Sequence, residues 1–182
     1  MSAFWLSRPW VQNPSEPVHL VTPLLSARPL TRYDLDAVIA IENTIFPFPW
    51  SKGNFIDSLK ADYDAWLFND LSDGAKPIVG YALLMWVLDE VHLLNLSVTS
   101  TRQGKGMGKQ LLYWLANDVF ERGAISVLLE VRPSNHVAQA LYFGCGFEQI
   151  GTRRNYYPSF DGTHEDALVM RATLPLMQLA QS

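Results

Sequence analysis

Val91-His92-Leu93-Leu94-Asn95-Leu96-Ser97-Val98 leads through Thr99-Ser100-Thr101-Arg102 into Gln103-Gly104-Lys105-Gly106-Met107-Gly108-Lys109. The first segment is mostly apolar and contains no Gly or Pro, the pattern of a buried strand. Beyond it, Met107, Leu111, Leu115 and Val119 recur every fourth residue and mark the inward face of a helix. A strand thus passes through a glycine-rich turn into a helix. Amides at such a turn point outward, and the helix N-terminus adds partial positive charge. The glycines let a ligand approach the backbone closely. The segment reads as a seat for phosphate.

Spacing narrows the phosphate. A P-loop needs G-x-x-x-x-G-K-[ST], but Gln110 follows Gly108-Lys109 and Gln103 stands where the first glycine belongs. A dinucleotide turn needs G-x-G-x-x-G. Counted from Gly104 the sixth residue is Lys109, and from Gly106 it is Leu111. Both patterns fail. A glycine turn without a ligand stays open on this segment alone, beside a third pattern, Gln-x-x-Gly-x-Gly at Gln103, Gly106 and Gly108.

The rest of the chain supplies an α/β frame. Its 182 residues suit a single domain with a substantial core. Outward from the turn, Ser26–Leu30, Ala65–Asn69, Ile78–Leu88, Ile125–Val131, Phe147–Arg154 and Glu165–Ala172 read as further strands. Thr31 with Asp34 forms a capping box before a helix, on which Leu35, Val38, Ile39 and Ile41 supply the apolar side. Two prolines in Phe46-Pro47-Phe48-Pro49-Trp50 end it, and Ser51 starts another helix reaching about Lys60. Asn135 caps a last helix through Tyr142, which the glycines at 144 and 146 end. The expected fold is one mixed central sheet of about six or seven strands with helices on both faces. Residues 1–25, rich in proline, read as an irregular arm that Trp5 and Trp10 dock; the domain spans 26–175 and a tail 176–182.

Composition excludes several classes. A net charge of −4 argues against general nucleic-acid binding and suits a basic partner. Cys145 is the sole cysteine, so no intrachain disulfide forms, as in a reducing cytoplasm. No apolar run approaches the length of a membrane span. The four histidines, His19, His92, His136 and His164, lack ligand spacing, so no metal is expected.

The Gln-x-x-Gly-x-Gly pattern resembles the pyrophosphate loop of the GNAT N-acetyltransferases. From about Leu30 to Met170 the chain is similar to the bacterial ribosomal-protein-alanine N-acetyltransferases. Phe48-Pro49-Trp50-Ser51, Val87-Leu88-Asp89-Glu90, Asn95-Leu96-Ser97-Val98, Leu129-Glu130-Val131-Arg132, Ser134-Asn135, Ala140-Leu141-Tyr142, Gly146-Phe147 and Arg153-Arg154-Asn155-Tyr156-Tyr157-Pro158 carry the likeness. The resemblance implies acetyl-coenzyme A as co-substrate. Leu96, Ser97 and Val98 would pair with its pantetheine arm. Amides of Gly104, Lys105, Gly106, Met107, Gly108 and Lys109, with Gln103 from the same pattern, would hold the pyrophosphate, and Asn135 would also touch the coenzyme.

It further implies Glu130 as general base and Tyr142 as general acid. Glu130 ends the otherwise apolar run Val127-Leu128-Leu129, where a carboxylate is partly desolvated and suited to accept a proton. The plain alternatives are a rim carboxylate paired with Arg132 and a core tyrosine beside Ala138. Phe48, Trp50, Tyr156 and Tyr157 would wall an acceptor groove, or simply pack. Cys145 invites an acetyl-cysteine route, but the family transfers directly. The acceptor implied is the N-terminal alanine of a small-subunit ribosomal protein. A lysine or small-amine acetyltransferase and a non-catalytic coenzyme-binding module are the rivals.

Overall fold

The computed structural model describes residues 18–176. Most of the proline-rich arm, with Trp5 and Trp10, and all but the first residue of the tail lie outside that range. Eight strands form one sheet: β1 (His19–Thr22), β2 (Leu25–Pro29), β3 (Asp64–Asp70), β4 (Ile78–Val87), β5 (Glu90–Val98), β6 (Ser126–Val131), β7 (Glu148–Pro158) and β8 (His164–Thr173). Their spatial order is β1-β2-β3-β4-β5-β6-β8-β7. Neighbours are antiparallel except β5 and β6. A parallel pair needs a crossover, and α3 (Met107–Glu121) provides it.

Helices cover both faces, as expected. Along β3, Ala65 and Leu67 point one way and Trp66 and Phe68 the other, following the strand period of two. The first pair meets α1 (Leu35–Ile45) and α2 (Lys52–Lys60) through Leu35, Val38 and Phe55. The second meets α3 through Leu111, Leu112, Leu115 and Val119, and α4 (His136–Phe143) lies on the same side. Each such large buried side chain contributes about 1.5–3 kcal/mol relative to exposure.

The caps read from the sequence form. Asp34 accepts from Thr31 N at 2.9 Å, Ser51 accepts from Asn54 N at 3.2 Å, and Asn135 accepts from Ala138 N at 3.1 Å. The Thr31 box opens a short 3-10 turn, Arg32–Asp34, that runs into α1.

The eight strands accord with the six or seven expected, the added one being His19–Thr22, which lies in the stretch read as an arm and pairs with β2. One feature was not anticipated: α1 turns Glu42, together with Leu35 and Val38, into the interior.

β5 carries the two irregularities that matter most. Leu83 pairs with Asn95 and Leu84 with Leu93, so Leu94 is an extra residue, a β-bulge. Leu93 packs on the α3 side and Leu94 on the α1/α2 side. Asn95 then stays on the α1/α2 side, hydrogen-bonded to Glu42. Leu96 and Val98 pack on the α3 side. The second irregularity is that β5 pairs with β6 only from Glu90↔Ser126 to Leu93↔Leu129.

Candidate active site

Beyond Leu93 the strands part. Leu94 to Val98 have no partner in β6, while Glu130 and Val131 pair on their other side with Val169 and Leu168 of β8. The gap leaves β5 backbone groups free to pair with an extended ligand. Leu96, Ser97 and Val98 border it.

The glycine turn follows the parted, C-terminal end of β5. Gln103 donates its side-chain amide to Val98 O at 2.9 Å, so this residue braces the turn against the strand. Arg102 pairs with Asp70 on β3. Gly104 and Gly106 have φ of +70° and +73°, a region costly for side-chain-bearing residues, and Gly106 is the N-cap of α3. The first bond of the helical ladder is Gln110 N to Gly106 O at 3.2 Å. The amides of Met107, Gly108 and Lys109 stand ahead of it, at the positive end of the helix dipole. Lys105 donates to Thr101 O at 2.9 Å, and the Lys109 ammonium lies 5.7 Å from the Tyr113 ring centre. A Cβ placed on Gly108 would come within 3.3 Å of Leu141, so α4 borders the turn.

Glu130 and Tyr142 sit on opposite faces of the sheet. Leu129 and Val131 point toward α3, so Glu130 between them faces the α1/α2 side. Its side chain is 11% exposed and meets Arg153 Nε at 3.3 Å. Arg132, its partner in the plain alternative reading, turns instead to Glu165 at 3.3 Å and Pro158 O at 3.1 Å. Tyr142 is buried on α4, 5.6 Å from the Phe147 ring. Burial, with the Cys145 thiol adding to it, pushes the Tyr142 phenol up to about 12, so it keeps its proton at neutral pH.

The aromatic residues gather on the Glu130 side. The Arg132 guanidinium lies 5.2 Å from the Phe48 ring and 4.3 Å from Tyr157. Phe48 also meets Phe160, at 4.8 Å, from the β7–β8 turn. Tyr157 donates its hydroxyl to Glu130 O at 3.1 Å, and Tyr156 packs on it at 4.9 Å. Trp50 stacks inward on Phe55 at 5.5 Å. The loop at 46–51 and the end of β7 with the turn after it, 153–160, therefore meet beside Glu130. Sequence reading did not identify Phe160, Arg153 or the buried polar group of Glu42, Tyr81, Asn95 and Ser97. For Glu42 a signal existed: it continues the spacing of Leu35 and Val38 along the inward face of α1.

Cys145 is buried, and burial pushes its thiol up despite Lys109 and Tyr113, the reverse of an activated nucleophile. Among the described residues no three His, Cys, Asp or Glu side chains are grouped to hold a metal, and no helix is long and apolar enough to cross a membrane.

Residues 35–147 match the Acetyltransferase (GNAT) family model. The [ribosomal protein bS18]-alanine N-acetyltransferase of Haemophilus ducreyi is 37% identical, over 78% of this chain and 94% of its own length. That of Escherichia coli K12 is 39% identical, over 75% and 89%. The crystal structure of the ribosomal-protein-S18-alanine N-acetyltransferase from Escherichia coli superposes with a TM-score of 0.74 at 33% identity, covering 87% of this chain and 99% of that one. A parted strand pair, a glycine turn at a helix N-terminus and a match over residues 35–147 lead to one assignment: the chain belongs to the GNAT family of acetyltransferases.

Proposed function

We propose that the protein transfers acetyl from acetyl-coenzyme A to the α-amine of an alanine-initiated protein N-terminus. The acceptor is the small-subunit ribosomal protein for which its relatives are named. One observation carries the reading: a carboxylate and a protonated phenol stand on opposite faces of a sheet, beside the gap between β5 and β6.

Acetyl-coenzyme A supplies a thioester, whose carbonyl carbon the amine attacks as the C–S bond breaks. The acceptor arrives as an ammonium with a pKa of roughly 7.7–8.0 and must first lose a proton. Glu130, on the aromatic-lined side, takes it. The leaving thiolate gains a proton from Tyr142 on the α3/α4 side, and solvent restores the phenol. Leu96, Ser97 and Val98 offer backbone groups to the pantetheine arm. The amides from Gly104 to Lys109, with the charges of Lys105 and Lys109, receive the pyrophosphate, and Asn135 adds a contact while capping α4. Phe48, Trp50, Tyr156 and Tyr157 line the approach of the peptide. An acidic protein suits a basic acceptor.

The test is intact-mass analysis of Ala-initiated ribosomal peptides after incubation with enzyme and acetyl-coenzyme A. One acetyl on the N-terminal amine is expected. Acetylation of lysine ε-amines alone, or coenzyme binding without thiol release, refutes the reading.

A further inference from the structure

The acceptor loop and the gap-lining strand are joined by a buried carboxylate. Glu42 is 1% exposed and, among the described residues, has no cationic partner. Its Oε1 accepts from the backbone N–H of Trp50 at 2.9 Å. Its Oε2 accepts from the Tyr81 hydroxyl and, at 3.5 Å, from the Asn95 side-chain amide. Ser97 in turn donates to Asn95 Oδ1 at 2.8 Å. Tyr81, Asn95 and Ser97 are all buried. Tyr81 and Ser97 are cross-strand partners, and Asn95, just past the Leu94 bulge, lies on the same face.

A buried carboxylate with no cation is costly and persists only where several donors satisfy it. Two of its donors belong to the sheet and the third is a loop amide. The loop holding Phe48 and Trp50 contains two prolines and lies between α1 and α2, so helix ladders do not fix it.

We propose that Glu42 is a positioning residue: clamped by Tyr81 and Asn95, it pins the loop at 46–50 at a fixed height over the end of β5, setting where the acceptor amine stands. The proposal rests on the acceptor reading of that loop. It also explains why the polar side chains of β5 face away from the coenzyme turn. They hold the carboxylate, while the coenzyme uses the backbone of the same residues.

The test is Glu42→Gln, which keeps size but removes the charge, and Tyr81→Phe, which removes one clamp. Acceptor KM should rise about tenfold in Glu42→Gln and less in Tyr81→Phe, with coenzyme Kd and kcat within about twofold of wild type. Hydrogen exchange across 46–51 should quicken in both while exchange in α3 does not. Should Glu42→Gln fold poorly, Tyr81→Phe still decides. Unchanged acceptor KM and unchanged exchange at 46–51 in folded variants overturn the proposal, as does an equal loss of coenzyme affinity. A wild-type enzyme that acetylates no Ala-initiated peptide sinks the function reading instead; the exchange data then still judge the anchoring.

Discussion

Gly80→Ala should damage fold and turnover together. Gly80 lies on β4, opposite Val98 of β5 and against α3. A Cβ there would stand 2.5 Å from the carbonyl oxygen of Ser97 and 2.9 Å from Leu111 Cδ1. Carbon and its neighbours prefer about 3.5 Å, so the Ser97 backbone must retreat by about 1 Å. The Leu111 methyl can rotate, but a carbonyl in a sheet ladder cannot. Overpacking of this kind costs about 1–3 kcal/mol. In a chain of this size each kcal/mol lowers Tm by roughly 2–4 °C, so a fall of about 2–12 °C is expected. The displaced residue borders the gap between β5 and β6, and misplacement by about 1 Å at a reacting centre costs on the order of a hundredfold in rate. Thermal unfolding and kcat/KM with an Ala-initiated peptide check both effects. A variant with wild-type Tm and wild-type kcat/KM would refute the idea that β5 is held at contact distance by the missing side chain.

Glu130→Gln and Tyr142→Phe should each lower kcat by about two orders of magnitude or more with coenzyme Kd nearly unchanged; equal loss of binding in both, by calorimetry, means the roles are wrong. Gly106→Ala finds open space but must hold a φ of +73°, so a loss of about 1–2 kcal/mol and weaker coenzyme binding are expected in melting and titration experiments. Asp34→Asn weakens the bidentate contact with Arg28, at 2.6 and 2.9 Å, and the Thr31 capping box, for about 1–2 kcal/mol at neutral pH. Burial works to raise the Asp34 carboxyl, but Arg28 and Thr31 outweigh it and hold it below the usual 3.8. A depressed folded value stabilises the protein above the unfolded value and is lost as pH falls through the folded one. The Tm gap between wild type and Asp34→Asn should therefore close below about pH 4.

Elements with strong local chemistry were legible in sequence. The Thr31, Ser51 and Asn135 caps begin helical segments where side-chain oxygen and spacing place them. β1 was not, because its four residues follow a proline-rich stretch and Leu20 faces solvent, so no alternation marks it. The position of β8 between β6 and β7 depends on long-range pairing that periodicity does not encode. At the site, spacing found the turn and resemblance named Glu130 and Tyr142. Which arginine meets Glu130 was not readable. Arg132 shares its strand face, but Glu165 draws it away, and Arg153 reaches across from β7. The role of Leu94 was equally hidden, since a bulge is a property of two strands and only one of them is in view at a time.

That extra leucine gives β5 something like a reading frame. Before it, odd-numbered side chains face α3; after it, even-numbered ones do. Substitutions edit single letters and leave the frame intact. Removing Leu94 makes Leu84↔Leu93 and Leu83↔Asn95 consecutive pairs, so it erases the kink and leaves every face as it is; removing Leu96 with the bulge kept would instead turn Ser97 under α3 and Val98 toward the buried carboxylate. Redesign of acceptor choice in this scaffold can therefore vary side chains on one side, but it must conserve the count of residues from Asn95 to Val98.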